Sequence, residues 1–147
     1  MVGYKALNAD MTSRYGDMTY ELDKWYQIEG KLEMCENGFH FCNTLEETFA
    51  FYPLKGSRFF RVETKGKAIT SSEKNVAEKI RLVEEVQITD EMLDILVSDK
   101  NWYVRRAVAE QGRDKDLNIY IHCFEYLGLL RSWQFPYLSG QNGSSHS

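Results

Sequence analysis

The residues of this chain whose types and spacing could do chemistry lie in one stretch, Lys31-Leu32-Glu33-Met34-Cys35-Glu36-Asn37-Gly38-Phe39-His40-Phe41-Cys42. It holds two of the three cysteines and one of the three histidines. Asn-Gly between alternating residues is the signature of a two-residue type I′ turn, because both positions need positive φ. With Asn37-Gly38 as that turn, Glu36 faces Phe39, Cys35 faces His40, Met34 faces Phe41 and Glu33 faces Cys42. Side chains alternate across a strand. One face then carries Leu32, Met34, Phe39 and Phe41 and belongs to a core. The other carries Glu33, Cys35, His40 and Cys42 and is the chemical face.

Cys35, His40 and Cys42 are the nitrogen and sulfur ligands that zinc takes in a tetrahedron. Directly opposed residues have Cβ atoms roughly 5 Å apart, and Cys42 is a diagonal neighbour, so the face can supply three ligands. A fourth would be Glu33, His122, Cys123 or a water. A structural zinc ion on Cys35, His40 and Cys42 is therefore the expectation. The competing reading is two semi-buried thiols and a hydrogen-bonded histidine, since Cys-x4-His-x-Cys is not a standard finger spacing. A Cys35–Cys42 disulfide is disfavoured, because diagonal partners sit roughly 7 Å or more apart. A Cys-His nucleophile would need a thiolate, an orienting acid and an oxyanion site, and only the pair is visible.

The elements that must position this face follow from periodicity. Val2 to Asn8 reads as a strand, and 8–17 as a loop. Met18 to Glu29 is rich in β-formers, with a bend at Asp23-Lys24. Thr44-Leu45-Glu46-Glu47 fits a capping box. Leu45, Thr48, Phe49 and Tyr52 fall at helical spacing, and Pro53 and Gly56 end that helix. Arg58 to Lys65 reads as a strand, Gly66 as a turn, 70–78 as a loop or a helical turn and Lys79 to Ile88 as a strand. The period changes after Thr89. Leu93, Leu96 and Val97 form one helical stripe, Asp99-Lys100-Asn101 break it, and Val104, Ala107 and Val108 form a second, closed by Gly112. Leu93-Asp94-Ile95-Leu96-Val97 aligns with Leu117-Asn118-Ile119-Tyr120-Ile121 at an offset of 24, and Trp102 with Tyr126. Such a period marks a helical-pair repeat. The expected architecture is α+β: a small antiparallel sheet with one packed helix in residues 1–88, a helical appendage packed on it over 89–138, and a disordered tail over 139–147.

Composition narrows the function classes. At 147 residues and 43% hydrophobic content the chain can bury a real core. Residues 1–88 hold 12 Lys/Arg against 14 Asp/Glu and residues 89–147 hold 6 against 8, −2 in each part. Neither part has the basic footprint of a nucleic-acid binder. No apolar run approaches the roughly 18 residues of a membrane span, and Met1-Val2-Gly3-Tyr4-Lys5 lacks the apolar core of a signal peptide. The expectation is a cytoplasmic protein with free thiols or a metal.

Two segments carry a resemblance. Tyr4-Lys5-Ala6-Leu7-Asn8, Cys35 through Cys42, Phe51-Tyr52-Pro53 and Ser57-Arg58-Phe59-Phe60-Arg61-Val62-Glu63 together resemble a domain family, frequent in bacteriophages and prophages, with no assigned activity. Its most specific piece is the Cys…Gly-Phe-His-x-Cys block. Residues 93–112 are similar to short HEAT-type repeats of phage and bacterial proteins. The resemblance implies phage origin and a host bacterial cytoplasm, but no reaction. Analogy of origin then suggests a protein-binding inhibitor of a host defence system, such as an anti-CRISPR acting on a Cas nuclease. Trp102, Tyr103, Arg105 and Arg106 are the candidate contact patch, since Trp, Tyr and Arg are favoured in hot spots. The alternative is an ADP-ribosyltransferase-like enzyme modifying a host protein, with Glu63, Glu84 or Glu85 as its acid. A deep pocket with convergent polar groups separates the second class from the first.

Overall fold

The computed structural model describes residues 1–72 and 74–116. Five strands are present: β1 (Val2–Asn8), β2 (Trp25–Gln27), β3 (Phe39–Phe41), β4 (Ser57–Thr70) and β5 (Asn75–Val86). A 3-10 helix spans Glu46–Ala50, and two α-helices follow the strands, α1 (Asp90–Leu96) and α2 (Trp102–Ala109). The fold is a small α+β fold built mostly on an antiparallel sheet. The chain divides into two compact units, Met1–Asp94 and Ile95–Ser147.

In the first unit the long β4–β5 hairpin is the spine, with β1 on the free edge of β4. The free edge of β5 takes two short strands in succession. β3 pairs residues 75–77 and β2 pairs residues 79–81, both antiparallel. Cys42, just past β3, and Tyr4 of β1 exchange both backbone hydrogen bonds at 2.8 Å. That bridge closes β1, β4, β5 and β3 into a ring. Inside it Leu7, Phe39, Phe41, Phe60, Val62, Ile80 and Leu82 form the core, with Tyr20 packed among them. On the other side of β4, Phe59 meets Phe49 of the 3-10 helix edge-on, ring centroids 5.4 Å apart.

Several expectations meet their physical reasons here. The capping box exists: Thr44 N–H donates to Glu47 Oε1 at 2.8 Å and Glu47 N–H to Thr44 Oγ1 at 3.4 Å. It opens a 3-10 helix of five residues, however, not an α-helix. Asp23 bends the aromatic stretch with φ 66°, leaving only Trp25–Gln27 as strand. Gly66 is not the hairpin turn. Its φ of 76° sits at a register shift between Lys65 and Ala68, so it marks a bulge inside β4. The hairpin therefore reverses near residues 71–74, and β5 begins at Asn75, inside the segment expected to be a loop or a helical turn.

In the second unit, the described part runs over residues 95–116, from the last residues of α1 through α2 and the turn after it. Val104, Ala107 and Val108 are buried, and Gly112 ends the segment with φ 68°. Arg113 pairs with the buried Asp116 at 2.6 Å. The repeat partner Leu117–Ile121, Tyr126 and the tail over 139–147 lie outside the described residues. No helix among the described residues is long and apolar enough to cross a membrane.

Candidate functional site

The Asn37-Gly38 turn does not form as expected. Asn37 is the closing residue of a tighter loop: Glu33 N–H donates to Asn37 C=O at 2.8 Å, Asn37 N–H to Glu33 C=O at 2.9 Å, and Glu36 N–H to Glu33 C=O at 3.2 Å. Positive φ falls on Cys35, at 67°, instead of Asn37. The Asn37 side chain explains the choice. Its Nδ2 donates to Glu29 C=O at 2.7 Å and Lys31 C=O at 2.8 Å, so it is spent tying the loop together. Gly38 is required for a different reason. A Cβ there would overlap Val76 Cγ2 and lie 2.6 Å from Leu32 Cδ1, at φ 150°.

The expected register is corrected accordingly. The partner of Phe39-His40-Phe41 is Ala77-Val76-Asn75, not Glu36-Cys35-Met34. Cys35 sits exposed at the loop tip and does not oppose His40. The core face survives, because Phe39 and Phe41 are buried, and β5 supplies the strand that the hairpin was expected to supply.

Cys35, His40 and Cys42 do line one common cavity of about 520 Å³. They do not assemble as ligands: among the described residues no group of three His, Cys, Asp or Glu side chains could hold a metal ion. Glu33 lies off the cavity wall, and His122 and Cys123 lie outside the described residues. The Lys5 and Lys74 ammonium groups act on both His40 and Cys42, and the Glu47 carboxylate acts on Cys42. The Cys42–His40 pair is poorly set for nucleophilic chemistry. Burial, with Glu47 nearby, pushes the Cys42 thiol up to about 11, and burial plus the two lysines pushes the His40 imidazole down to about 4. At neutral pH this is a thiol beside a neutral imidazole.

The cavity arises where the ring fails to zip. β1 and β3 meet at Tyr4–Cys42, and a regular ladder would next join Ala6 to His40. It does not. Instead the Lys5 side chain turns into the gap, and its Nζ donates to His40 C=O at 2.6 Å. Tyr4 and Asn8 direct their N–H and C=O groups away from β4, to Cys42 and to Thr12 and Met11. Backbone alternation therefore aims the Ala6 groups into the same gap. Gly3 permits the close approach that starts the gap, since a Cβ there would lie 2.6 Å from both Cys42 O and Phe41 Cδ2.

Lys5 is the residue that sequence reasoning missed. It stands opposite Phe60 and shares strand parity with Leu7, both buried in the core, so it is a lysine on the core-facing side of β1. The residue is half-buried, with its ammonium 5.4 Å from the Tyr20 ring centroid. Burial pushes it down to about 8, with the Cys42 thiol opposing. It makes no ion pair with a carboxylate among the described residues. The parity was visible in the sequence, but Ala6 and Leu7 are both buried, which hides which side faces the core. The Nε2 atom of His40 is likewise buried without a hydrogen-bond partner.

The other candidates separate from this site. Glu63, Glu84 and Glu85 pair with Arg81 at 2.6 Å, Arg61 at 2.9 Å and Arg58 at 2.7 Å, and none lines the cavity. The carboxylates that do are Asp17 and Glu36. In the second unit, Arg105 donates to Asp99 C=O at 2.5 Å and Arg106 pairs with Glu110 at 2.8 Å. Trp102 is 43% exposed and meets Tyr103 edge-on, with ring centroids 6.3 Å apart.

Comparison with curated proteins and with solved structures finds no match. Residues 1–94 match the family described as a domain of unknown function, DUF7666. The match covers the first compact unit from end to end and takes in every residue that lines the cavity. The chain belongs to the DUF7666 family.

Proposed function

We propose that residues 1–94 are a binding module for a small organic molecule, held in the gap between β1 and β3. The observation that carries this is the interrupted ladder. It leaves a cavity of about 520 Å³, within the usual range for small-molecule sites, with Lys5 and His40 on its wall and Lys5 Nζ held at the His40 carbonyl. Its walls include Tyr20, Phe39, Phe51 and Tyr52, which suit a planar ring. The ADP-ribosyltransferase-like form of this reading has less support, because its acids Glu63, Glu84 and Glu85 are held in arginine pairs away from the cavity. The test is a titration of the whole chain with indole and with benzamide, followed by backbone amide NMR. Shifts confined to residues 4–6, 13–20, 38–42 and 51–52 are expected at millimolar probe. Scattered shifts, or none, overturn the reading.

A second reading is supported by the exposed Trp102: a phage or prophage inhibitor that docks on a host bacterial defence protein, such as a Cas nuclease, through Trp102 and Tyr103. Arg105 and Arg106 contribute less there, since both are engaged within the second unit. A HEAT-like repeat and a host-cytoplasmic setting belong to this reading. Trp102→Ala is expected to weaken inhibition of the nuclease by tenfold or more if the residue is a hot spot, a loss of about 1.4 kcal/mol or greater. Full inhibition by Trp102→Ala would remove the surface from consideration.

A further inference from the structure

We propose that the β1–β3 gap is an anion receptor, and that the ligand of this module carries a carboxylate or phosphate seated on the Lys5 ammonium. The inference rests on reading the cavity as a ligand site and goes further by naming the charge that the site takes.

Two observations bear on it independently. Lys5 places its ammonium in the gap with one hydrogen-bond acceptor among the described residues, His40 C=O. An ammonium has three donors, so its hydrogen-bonding capacity is unfilled, and a buried cation without a counter-charge is costly. Alternation along β1 aims the Ala6 N–H into the same gap. An ammonium and a backbone N–H around one space, with no carboxylate among the described residues paired to the ammonium, are what an oxyanion needs.

The charge around the site agrees in sign. Lys74 acts on His40 and Cys42 from the β4–β5 turn, and Arg14 lies on the cavity wall. Asp17 and Glu36 are the acids on that wall, leaving three cations against two. Tyr20 and Cys42 face Lys5, Lys74 acts on His40, and the Glu47 carboxylate acts on Cys42. Tyr20 and Cys42 are neutral at pH 7, and Lys74 is a cation. A cationic ligand would meet Lys5 head-on. A neutral one would leave the ammonium uncompensated.

The experiment compares benzoate, phenyl phosphate and benzamide on the whole chain, by calorimetry and by the His40 ring resonances, in the wild type and in Lys5→Met. Benzoate or phenyl phosphate is expected to bind at least about tenfold more tightly than benzamide, as a charged hydrogen bond contributes. Lys5→Met is expected to abolish that preference, so that the anions and benzamide bind the variant alike. The arm that binds better identifies the anion as carboxylate or phosphate. Wild-type affinity for the anion should also fall as pH is raised from 7 to 10, a readout that does not depend on the variant's folding. Equal affinity for benzamide and the anions overturns the anion site and leaves the cavity reading standing. No binding by any of the three overturns both.

Discussion

Lys5 shows how one side chain can carry a cost that the rest of the fold sustains. Its ammonium is pushed down to about 8 by burial, from an ordinary 10.5. Between pH of about 8 and 10.5 the unfolded chain holds a proton that the folded chain has released. Stability therefore rises with pH across that window, and the full burden is present below it. Cys42 acts in the opposite direction: raised from 9.0 to about 11, it removes stability as pH climbs through that range. The Lys5 contribution is isolated by comparing wild type with Lys5→Met in urea melts at each pH. The wild type should gain on the variant from pH 8 to 10.5, and parallel curves would show that the ammonium is well solvated. His40, held down to about 4 from 6.5, should make the protein lose stability as pH falls from 6.5 to 4. His40→Gln is expected to flatten that acid limb.

Among the elements, β3 is three residues long yet joins two strands of the ring: it pairs with β5, and β1 reaches it twice, through the Tyr4 bridge to Cys42 just past its end and through Lys5 on its middle carbonyl. Two glycines make this possible by giving way to neighbours. Gly38→Ala would drive a methyl into Val76 and Leu32 at a φ that only glycine takes readily, for an expected loss of about 2–4 kcal/mol in denaturant unfolding. Gly3→Ala would strike Cys42 O and Phe41, and should speed hydrogen exchange of the Tyr4 and Cys42 amides before any other strand opens. Unchanged protection at those two amides would mean that the ring closes without their bridge. Thr44→Ala removes one half of the capping box and should cost about 1 kcal/mol. That reciprocal pair was legible in the sequence because it needs only local spacing, whereas the choice of a 3-10 helix over an α-helix was not.

At the scale of the molecule, the core residues from Leu7 to Leu82 all lie within residues 1–94. That segment expressed alone is expected to unfold in a single cooperative urea transition. A broad, non-cooperative melt would show that its core needs residues beyond 94. What the sequence determined by itself was everything set by local period and local capping. β1 runs over the predicted Val2–Asn8, Phe39 and Phe41 face the core, and the α1 and α2 segments break at residues 99–101 and stop at Gly112, because each of these follows from side-chain alternation or helix chemistry within a few residues. What only the tertiary structure decided was partnership. Asn37-Gly38 promised a local hairpin, but a few hydrogen bonds from the Asn37 amide to Glu29 and Lys31 released β3 to pair with Asn75–Ala77, more than thirty positions away. That exchange carried Cys35 out to a loop tip, away from the place opposite His40. It also brought Lys5 and His40, 35 residues apart, to one gap in the ring, since the contact depends on where β1 and β3 diverge and no spacing along the chain encodes that.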